Sequence, residues 1–217
     1  MAEHTTMIGA GATVPARDLA TITGDTVAVP QPGRLVHLQF RRFAGCPVCN
    51  LHLRRFGRRH DQIEAAGVLE VVLFHSSADD LLRYAGDLPF AVVADPRKQI
   101  YREFGVESSP RALLHPRAWW PIVRAVADSL WAIVRRRQAP PPLNPPGGRF
   151  GLPADILVDG DGRVVASHYG THVDDQWSVE DVLALARTAA DRAPSPATRD
   201  RPAAHAAGPT GRAAQPA

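Results

Sequence analysis

FRRFAGCPVCNLHLRRF, Phe40–Phe56, holds both cysteines of the chain, Cys46 and Cys49, three residues apart. Before it runs RLVHLQF, Arg34–Phe40, a strand candidate with Leu35, Val36, Leu38 and Phe40 apolar. After it, VCNLHLRRFGRRHDQIEAAG carries Leu51, Leu53, Phe56 and Ile63 on an apolar stripe, and Gly67 stands where a helix ends. The cysteines therefore sit where a strand hands over to a helix. Free N–H groups in the first helical turn favour an anion, so a thiolate at Cys46 is stabilised there. Such placement lowers a thiol pKa from ~8.5 toward ~7 or below. Cys49, one turn on, is close enough for a disulfide. Arg41 and Arg42 stand near enough to add positive potential.

Four chemistries compete for the pair. Zinc needs four ligands; His52 and His60 could complete a set, but the sequence has no second Cys-x-x-Cys. Covalent haem attachment needs a histidine straight after the second cysteine, and Asn50 is there. Two inert core cysteines are the third reading. Thiol–disulfide exchange or peroxide reduction, in which a low-pKa thiolate works beside a resolving partner, is the one the spacing favours. Cys46, nearer the free N–H groups, is expected to be the more exposed thiol and the attacking one.

The chain has 217 residues, 45% of them hydrophobic, enough for one ordinary domain with a real core. A net charge of +3 without a Lys/Arg block does not argue for nucleic acid. Lys98 is the single lysine, so arginine is a compositional habit here rather than a signal. No segment reaches the ~18 apolar residues of a transmembrane helix, and MAEHTTMIGAGATVPARDL lacks a basic start followed by an apolar run. A cytoplasmic location is the resulting expectation. In that reducing compartment a close cysteine pair is more often catalytic or metal-binding than a static disulfide.

Strand and helix signals alternate along the chain. VLEVVLFH, Val68–His75, is a continuous apolar run suited to a strand buried on both faces. SADDLLRYAG reads as a helix capped by Ser76 or Ser77. FAVVAD, Phe90–Asp95, is a third strand, and PRKQIYREFGV a helix with Pro96 at its first position and Gly105 at its stop. ADILVDGDGRVVASHYG is two strands around a turn at Asp159–Gly162. SVEDVLALARTAADR is the last helix, with Ser178 and Asp181 at capping-box spacing. The pattern predicts an α/β fold.

Residues 1–12 read as a loose N-terminus, 13–192 as the folded domain, and the Ala/Pro-rich 193–217 as a disordered tail. Residues 111–148 interrupt the rhythm. Trp119, Trp120, Ile122, Val123, Val126, Leu130, Trp131, Ile133 and Val134 give a Trp-rich helix, closed by Arg135, Arg136 and Arg137 and followed by a proline-rich linker. It packs over the core or forms a dimer contact, lies on a membrane surface or partner, or covers a substrate.

Taken together, VPARDLATITGDTVAVP, FRRFAGCPVCN, LPFAVVADPRKQIYREFGV and ADILVDGDGRVV resemble the peroxiredoxin-like alkyl hydroperoxide reductase/thiol-specific antioxidant family of the thioredoxin-fold superfamily. The resemblance spans roughly residues 12–190. It implies a thioredoxin-like fold, a central mixed sheet flanked by helices with the Trp-rich helix inserted. It also implies a thiol–disulfide oxidoreductase with Cys46 and Cys49 catalytic, no cofactor and no metal. Pro153, before a late strand, would bind substrate and is expected in the cis form that thioredoxin-fold proteins use beside the cysteines. A thioredoxin or low-molecular-weight thiol would be the reductant, and a hydroperoxide or disulfide the oxidant. A true peroxidase and a redox-sensing binding module using the Trp-rich helix are the alternatives. The family reads Pro-x-x-x-Thr-x-x-Cys at its peroxide site. Aligned on Cys49, this chain has Arg42 and Cys46 at the Pro and Thr positions; aligned on Cys46, it has Gln39 and Phe43. Where the family places a late peroxide-binding arginine, Pro153 stands, with Arg149 nearby but out of register. By analogy to thioredoxin Cys46 attacks; by analogy to peroxiredoxin Cys49 does.

Overall fold

The computed structural model describes residues 6–106, 123–127, 130–131, 134–135, 148 and 151–192. Much of the 111–148 insertion, Arg149 and the 193–217 tail lie outside the described residues. A small hairpin, β1 (Arg17–Ala20) and β2 (Thr26–Val29), precedes the main sheet. Then come β3 (Leu35–Arg41), α1 (Pro47–Arg58), α2 (His60–Ala65), β4 (Val68–Phe74), α3 (Ala78–Ala85), β5 (Ala91–Ala94) and α4 (Gln99–Glu103). The chain resumes with β6 (Ala154–Val158), β7 (Val164–Tyr169) and α5 (Val179–Arg192). The main sheet runs β5-β4-β3-β6-β7. Its β3, β4 and β5 are parallel, while β6 and β7 are antiparallel to their neighbours. This is the mixed, helix-flanked α/β sheet the sequence predicts, with β3 at its centre.

Local chemistry sets most boundaries. Ser77 caps α3 by accepting from the Asp80 N–H at 3.2 Å. Ser178 and Asp181 close a reciprocal box at the start of α5: the Ser178 N–H donates to the carboxylate at 2.8 Å and the Asp181 N–H to the Ser178 hydroxyl at 3.2 Å. The β6–β7 turn closes with the Asp159 N–H on the Arg163 carbonyl at 2.9 Å. Two helix expectations are corrected. The helix after the cysteines does not run unbroken to Gly67; Arg59 leaves helical geometry at φ −118°, ψ 17° and divides it into α1 and α2. Pro96 is not the first helical residue of α4. The Asp95 carboxylate accepts from the N–H groups of Gln99, Ile100 and Tyr101 at 2.9, 2.8 and 3.2 Å, so the helix starts at Gln99 and Pro96 lies in the turn before it.

Side chains alternate across β3. Val36, Leu38 and Phe40 join Val71, Leu73, Ile156 and Tyr101 in one apolar layer. His37, Gln39 and Arg41 point to the other face, under α1, and each is fully buried. They meet Glu70 of β4 and Asp155 of β6 there. His37 Nδ1 lies 2.9 Å from Glu70 Oε2 and Nε2 lies 3.1 Å from Asp155 Oδ1. The Arg41 guanidinium donates to Asp155 Oδ1 at 2.6 Å and to Gln39 Oε1 at 2.7 Å, and Gln39 donates to Glu70. Two basic and two acidic side chains thus share one enclosed row. Burial opposes the charge on His37, but Glu70 and Asp155 outweigh it and raise its pKa to about 9. Burial likewise opposes ionisation of Asp155, and Arg41 and His37 overcome it, holding the carboxyl well below its usual range.

Candidate active site

Arg41 ends β3, and the next five residues turn the chain into α1. Gly45 takes φ +77° in that turn, a left-handed conformation that side chains rarely adopt. The Cys46 N–H bonds back to the Phe43 carbonyl at 3.1 Å, and the Cys46 carbonyl accepts the first helical bond, from Asn50, at 2.9 Å. Cys46 is the N-cap of α1, and Pro47 follows at the first helical position, where its missing N–H costs nothing. The expected strand-to-helix placement is therefore observed. Both cysteines are free thiols.

The two arginines diverge. Arg41 turns away into the buried row, while Arg42 folds back so that its Nη1 lies 3.6 Å from Cys46 Sγ. Burial works against a Cys46 thiolate. It is outweighed by the Cys49 thiol, which donates to the sulfur, by the Arg42 charge, and by the N–H groups of Cys49 and Val48. The net effect lowers the Cys46 pKa to about 6. The sulfur closes no capping hydrogen bond of ordinary geometry, so those amides act on it as oriented dipoles. Cys49 is pushed the other way, first by its hydrogen bond to Cys46 and then by burial, so it keeps its proton. One thiol thus favours the thiolate and the other keeps its proton.

The expectation that Cys46 is the more exposed thiol is not met: Cys46 is 1% exposed and Cys49 2%. Phe43, Ala44 and Val48 share their apolar cluster and cover them. Pro153 is buried at the start of β6, but Leu152–Pro153 is trans; among the described residues the cis bond is Val29–Pro30. The Pro153 carbonyl accepts from the Gly170 N–H at 2.9 Å, and a Cβ on Gly170 would come within 2.8 Å of the Pro153 ring. An extended trans lead-in to the sheet thus satisfies the backbone, and trans is the favoured isomer by ~0.5–1 kcal/mol. The loop before Pro153 borders the site: a Cβ on Gly151 would lie 3.1 Å from His75 Nε2 and 3.5 Å from Arg42 Cγ.

His52 and His60 are not brought to the cysteines. His52 Nε2 faces the Arg41 guanidinium at 3.2 Å, and His60 faces Glu64 at 3.9 Å. Burial, then the Arg41 charge, keeps His52 neutral far below its usual range. Among the described residues no group of three or more His, Cys, Asp or Glu is placed to hold a metal. Sequence reasoning missed Tyr101 as a support. Its hydroxyl shares its one proton between the carbonyls of Arg41 and Leu73, the latter at 2.8 Å, and so braces the end of β3 that launches the cysteine turn. The one available signal was a tyrosine within an otherwise amphipathic short helix.

Arg42→Met tests the electrostatics. It removes the cation but keeps much of the apolar stem, and the Cys46 pKa should rise by about one pH unit. Thiolate ultraviolet absorbance followed against pH measures this directly. An unmoved titration would mean that the amides and Cys49 alone set the pKa.

No curated protein matches the sequence. Solved structures that resemble the chain include a peroxidoxin, BcpB, from Mycobacterium tuberculosis, at 15% identity and TM-score 0.59, covering 84% of this chain and 98% of that one. A reduced 2-Cys peroxiredoxin from Plasmodium vivax matches at 14% identity and TM-score 0.58, covering 85% and 83%. A structure described as a thiol:disulfide interchange protein DsbE, from Chlorobium tepidum, matches at 18% identity and TM-score 0.52, covering 86% and 98%. At these identities the likeness concerns the fold, which is thioredoxin-like. A family model for the AhpC/TSA antioxidant enzyme matches residues 55–172, a span that opens after the cysteine pair. By that match the chain belongs to the AhpC/TSA antioxidant enzyme family, in a thioredoxin-like fold whose cysteines stand at the head of α1.

Proposed function

We propose that the chain is a thiol–disulfide oxidoreductase in which Cys46 attacks and Cys49 resolves. The observation that carries this reading is the placement of two free thiols in the first turn of α1, Cys46 as its N-cap with Arg42 Nη1 3.6 Å from the sulfur, which favours the thiolate on Cys46 and the proton on Cys49. With a disulfide substrate, the Cys46 thiolate forms a mixed disulfide and expels one thiolate. Cys49 then loses its proton and attacks Cys46 Sγ, releasing the second thiolate and leaving a 46–49 disulfide. With a hydroperoxide, Cys46 takes the terminal oxygen as a sulfenic acid and the alkoxide leaves with a proton. Cys49 condenses with the sulfenic acid and water departs. A thioredoxin or a small thiol, in a reducing compartment such as the cytoplasm, returns both thiols. Pro153 and the loop before it form the substrate-side wall, which Gly151 supports by its approach to Arg42 and His75.

The peroxidase reading draws on Arg42, which brings a buried guanidinium to the attacking sulfur although the family's usual threonine and late arginine positions are filled differently. One experiment separates the readings. The reduced protein receives one equivalent of hydrogen peroxide, is quenched with an alkylating agent at early times, and Cys46 and Cys49 are mapped by mass spectrometry beside Cys46→Ser and Cys49→Ser. Rapid 46–49 disulfide, with sulfenic acid stranded on Cys46 in Cys49→Ser, is the expected peroxidase result. If both thiols stay alkylatable over minutes, peroxide is not the substrate. The same variants are then challenged with a small-molecule disulfide. Failure there as well would sink the oxidoreductase reading.

A further inference from the structure

Within the insertion, residues 123–127, 130, 131 and 134 are helical, and the Arg135 N–H bonds to the Trp131 carbonyl at 3.1 Å. Val123, Val126, Leu130, Trp131 and Val134 are all between 42% and 75% exposed. On a helical wheel drawn from the sequence, Val123, Val126, Leu130 and Val134 fall within about 80° of arc, with Trp131 at the edge. Ala125, on the opposite side, is buried in the same cluster as the cysteines. The described residues are thus anchored at Ala125 and show Val123, Val126, Leu130, Trp131 and Val134 to water. Exposed apolar patches of this kind mark interaction surfaces.

Charge decides among the occupants. Arg124 and Arg135 fall on the flank beside Trp131, and the Arg135 guanidinium lies 4.3 Å from the Trp131 ring. Arg136 and Arg137 follow directly in the sequence, and residues 111–137 hold six arginines against one acid, Asp128. A second copy would bring arginine against arginine, with one carboxylate per copy to relieve it. A surface of anionic lipid suits both halves: acyl chains take the valines and leucine, Trp131 sits at the headgroup level, and the arginines meet phosphates. Among the described residues no helix is long and apolar enough to cross a membrane, so the geometry is that of a helix lying on one.

We propose that this stripe docks the protein on anionic lipid bilayers. The test is co-sedimentation of the full chain with phosphatidylcholine vesicles, with and without phosphatidylglycerol. Binding is expected only with the anionic lipid and should weaken with salt. Arg124→Gln with Arg135→Gln should weaken it by roughly tenfold or more, at on the order of 1 kcal/mol per arginine near such a surface. Leu130→Glu with Val134→Glu should abolish it, while the Cys46 titration, measured on the same sample, stays where it was and shows that the fold is intact. No binding to anionic vesicles at low salt overturns the proposal. So does equal binding by the arginine variant. A concentration-dependent dimer that Leu130→Glu dissociates would instead assign the stripe to a second copy.

Discussion

Asp155→Ala should lower the free energy of unfolding by about 3–5 kcal/mol, the range for removing one partner from a buried ion pair. Asp155 is fully buried and serves several donors at once. Arg41 donates to Oδ1 at 2.6 Å, His37 Nε2 lies 3.1 Å from the same oxygen, and the Trp177 N–H donates to Oδ2 at 3.1 Å. Alanine would leave the Arg41 charge in the interior with only neutral acceptors. Urea denaturation of the reduced protein measures the change, and a loss below about 1 kcal/mol would show that water or repacking compensates. The contrast is a variant replacing His37, Arg41, Glu70 and Asp155 together by apolar residues of similar volume. Pair attraction barely covers the desolvation of such groups, so that variant should recover most of what Asp155→Ala loses.

Cys46→Ser should make stability fall steeply between about pH 6.5 and 9, while the parent protein stays nearly level over the same range. Two groups titrate there with opposite sign. His37 binds its proton more tightly in the folded protein, with a pKa of about 9 against 6.5. Its contribution is complete below pH 6.5 and is lost as pH rises through 9. Cys46 does the reverse, with a folded pKa of about 6 against 9.0. Its contribution is absent below pH 6, grows as pH rises, and is complete above 9. Near pH 7.5 each slope is about 1.4 kcal/mol per pH unit, and the two cancel. Removing the thiol leaves the His37 slope alone, worth on the order of 3 kcal/mol across the interval. The check is a series of urea midpoints at stepped pH. A parallel pair of curves would mean that Cys46 binds its proton equally well in the folded and unfolded chain, and a level curve for Cys46→Ser would mean that His37 is neutral in the native state.

The order of strands and helices was legible because its signals are local. The caps at Ser77 and Ser178, the hairpin at Asp159–Gly162 and the position of Cys46 before α1 were all readable from spacing. The small β1–β2 hairpin was missed, its stretch VPARDLATITGDTVAVP serving only for the family resemblance, since two four-residue strands carry little periodicity. The buried row was missed for a physical reason. RLVHLQF alternates apolar and polar like a strand with one wet face, yet α1 covers the polar face. Glu70, inside the apolar run VLEVVLFH, was the visible sign that a cation waited across the sheet. Of the site, sequence located Cys46 and Cys49. It could not tell that Arg42 rather than Arg41 turns to the sulfur, because both follow from how β3 ends. The Pro153 isomer depended on a strand partner, Gly170, that lies 17 residues on in the chain.

The enclosed row also legislates how the sheet can be assembled. His37 stands opposite Glu70, and Gln39 opposite Asp155. If β3 slid by one residue, every side chain would change face. His37, Gln39 and Arg41 would enter the layer of Val71, Leu73 and Ile156 with no acid to meet them. An ordinary apolar strand tolerates such errors, since valine packs on leucine in almost any alignment. Here the wrong alignments are charged and dry at once. The central strand therefore acts as a notched key, and out-of-register pairings are opposed by the same four side chains that contribute little net energy to the correct one.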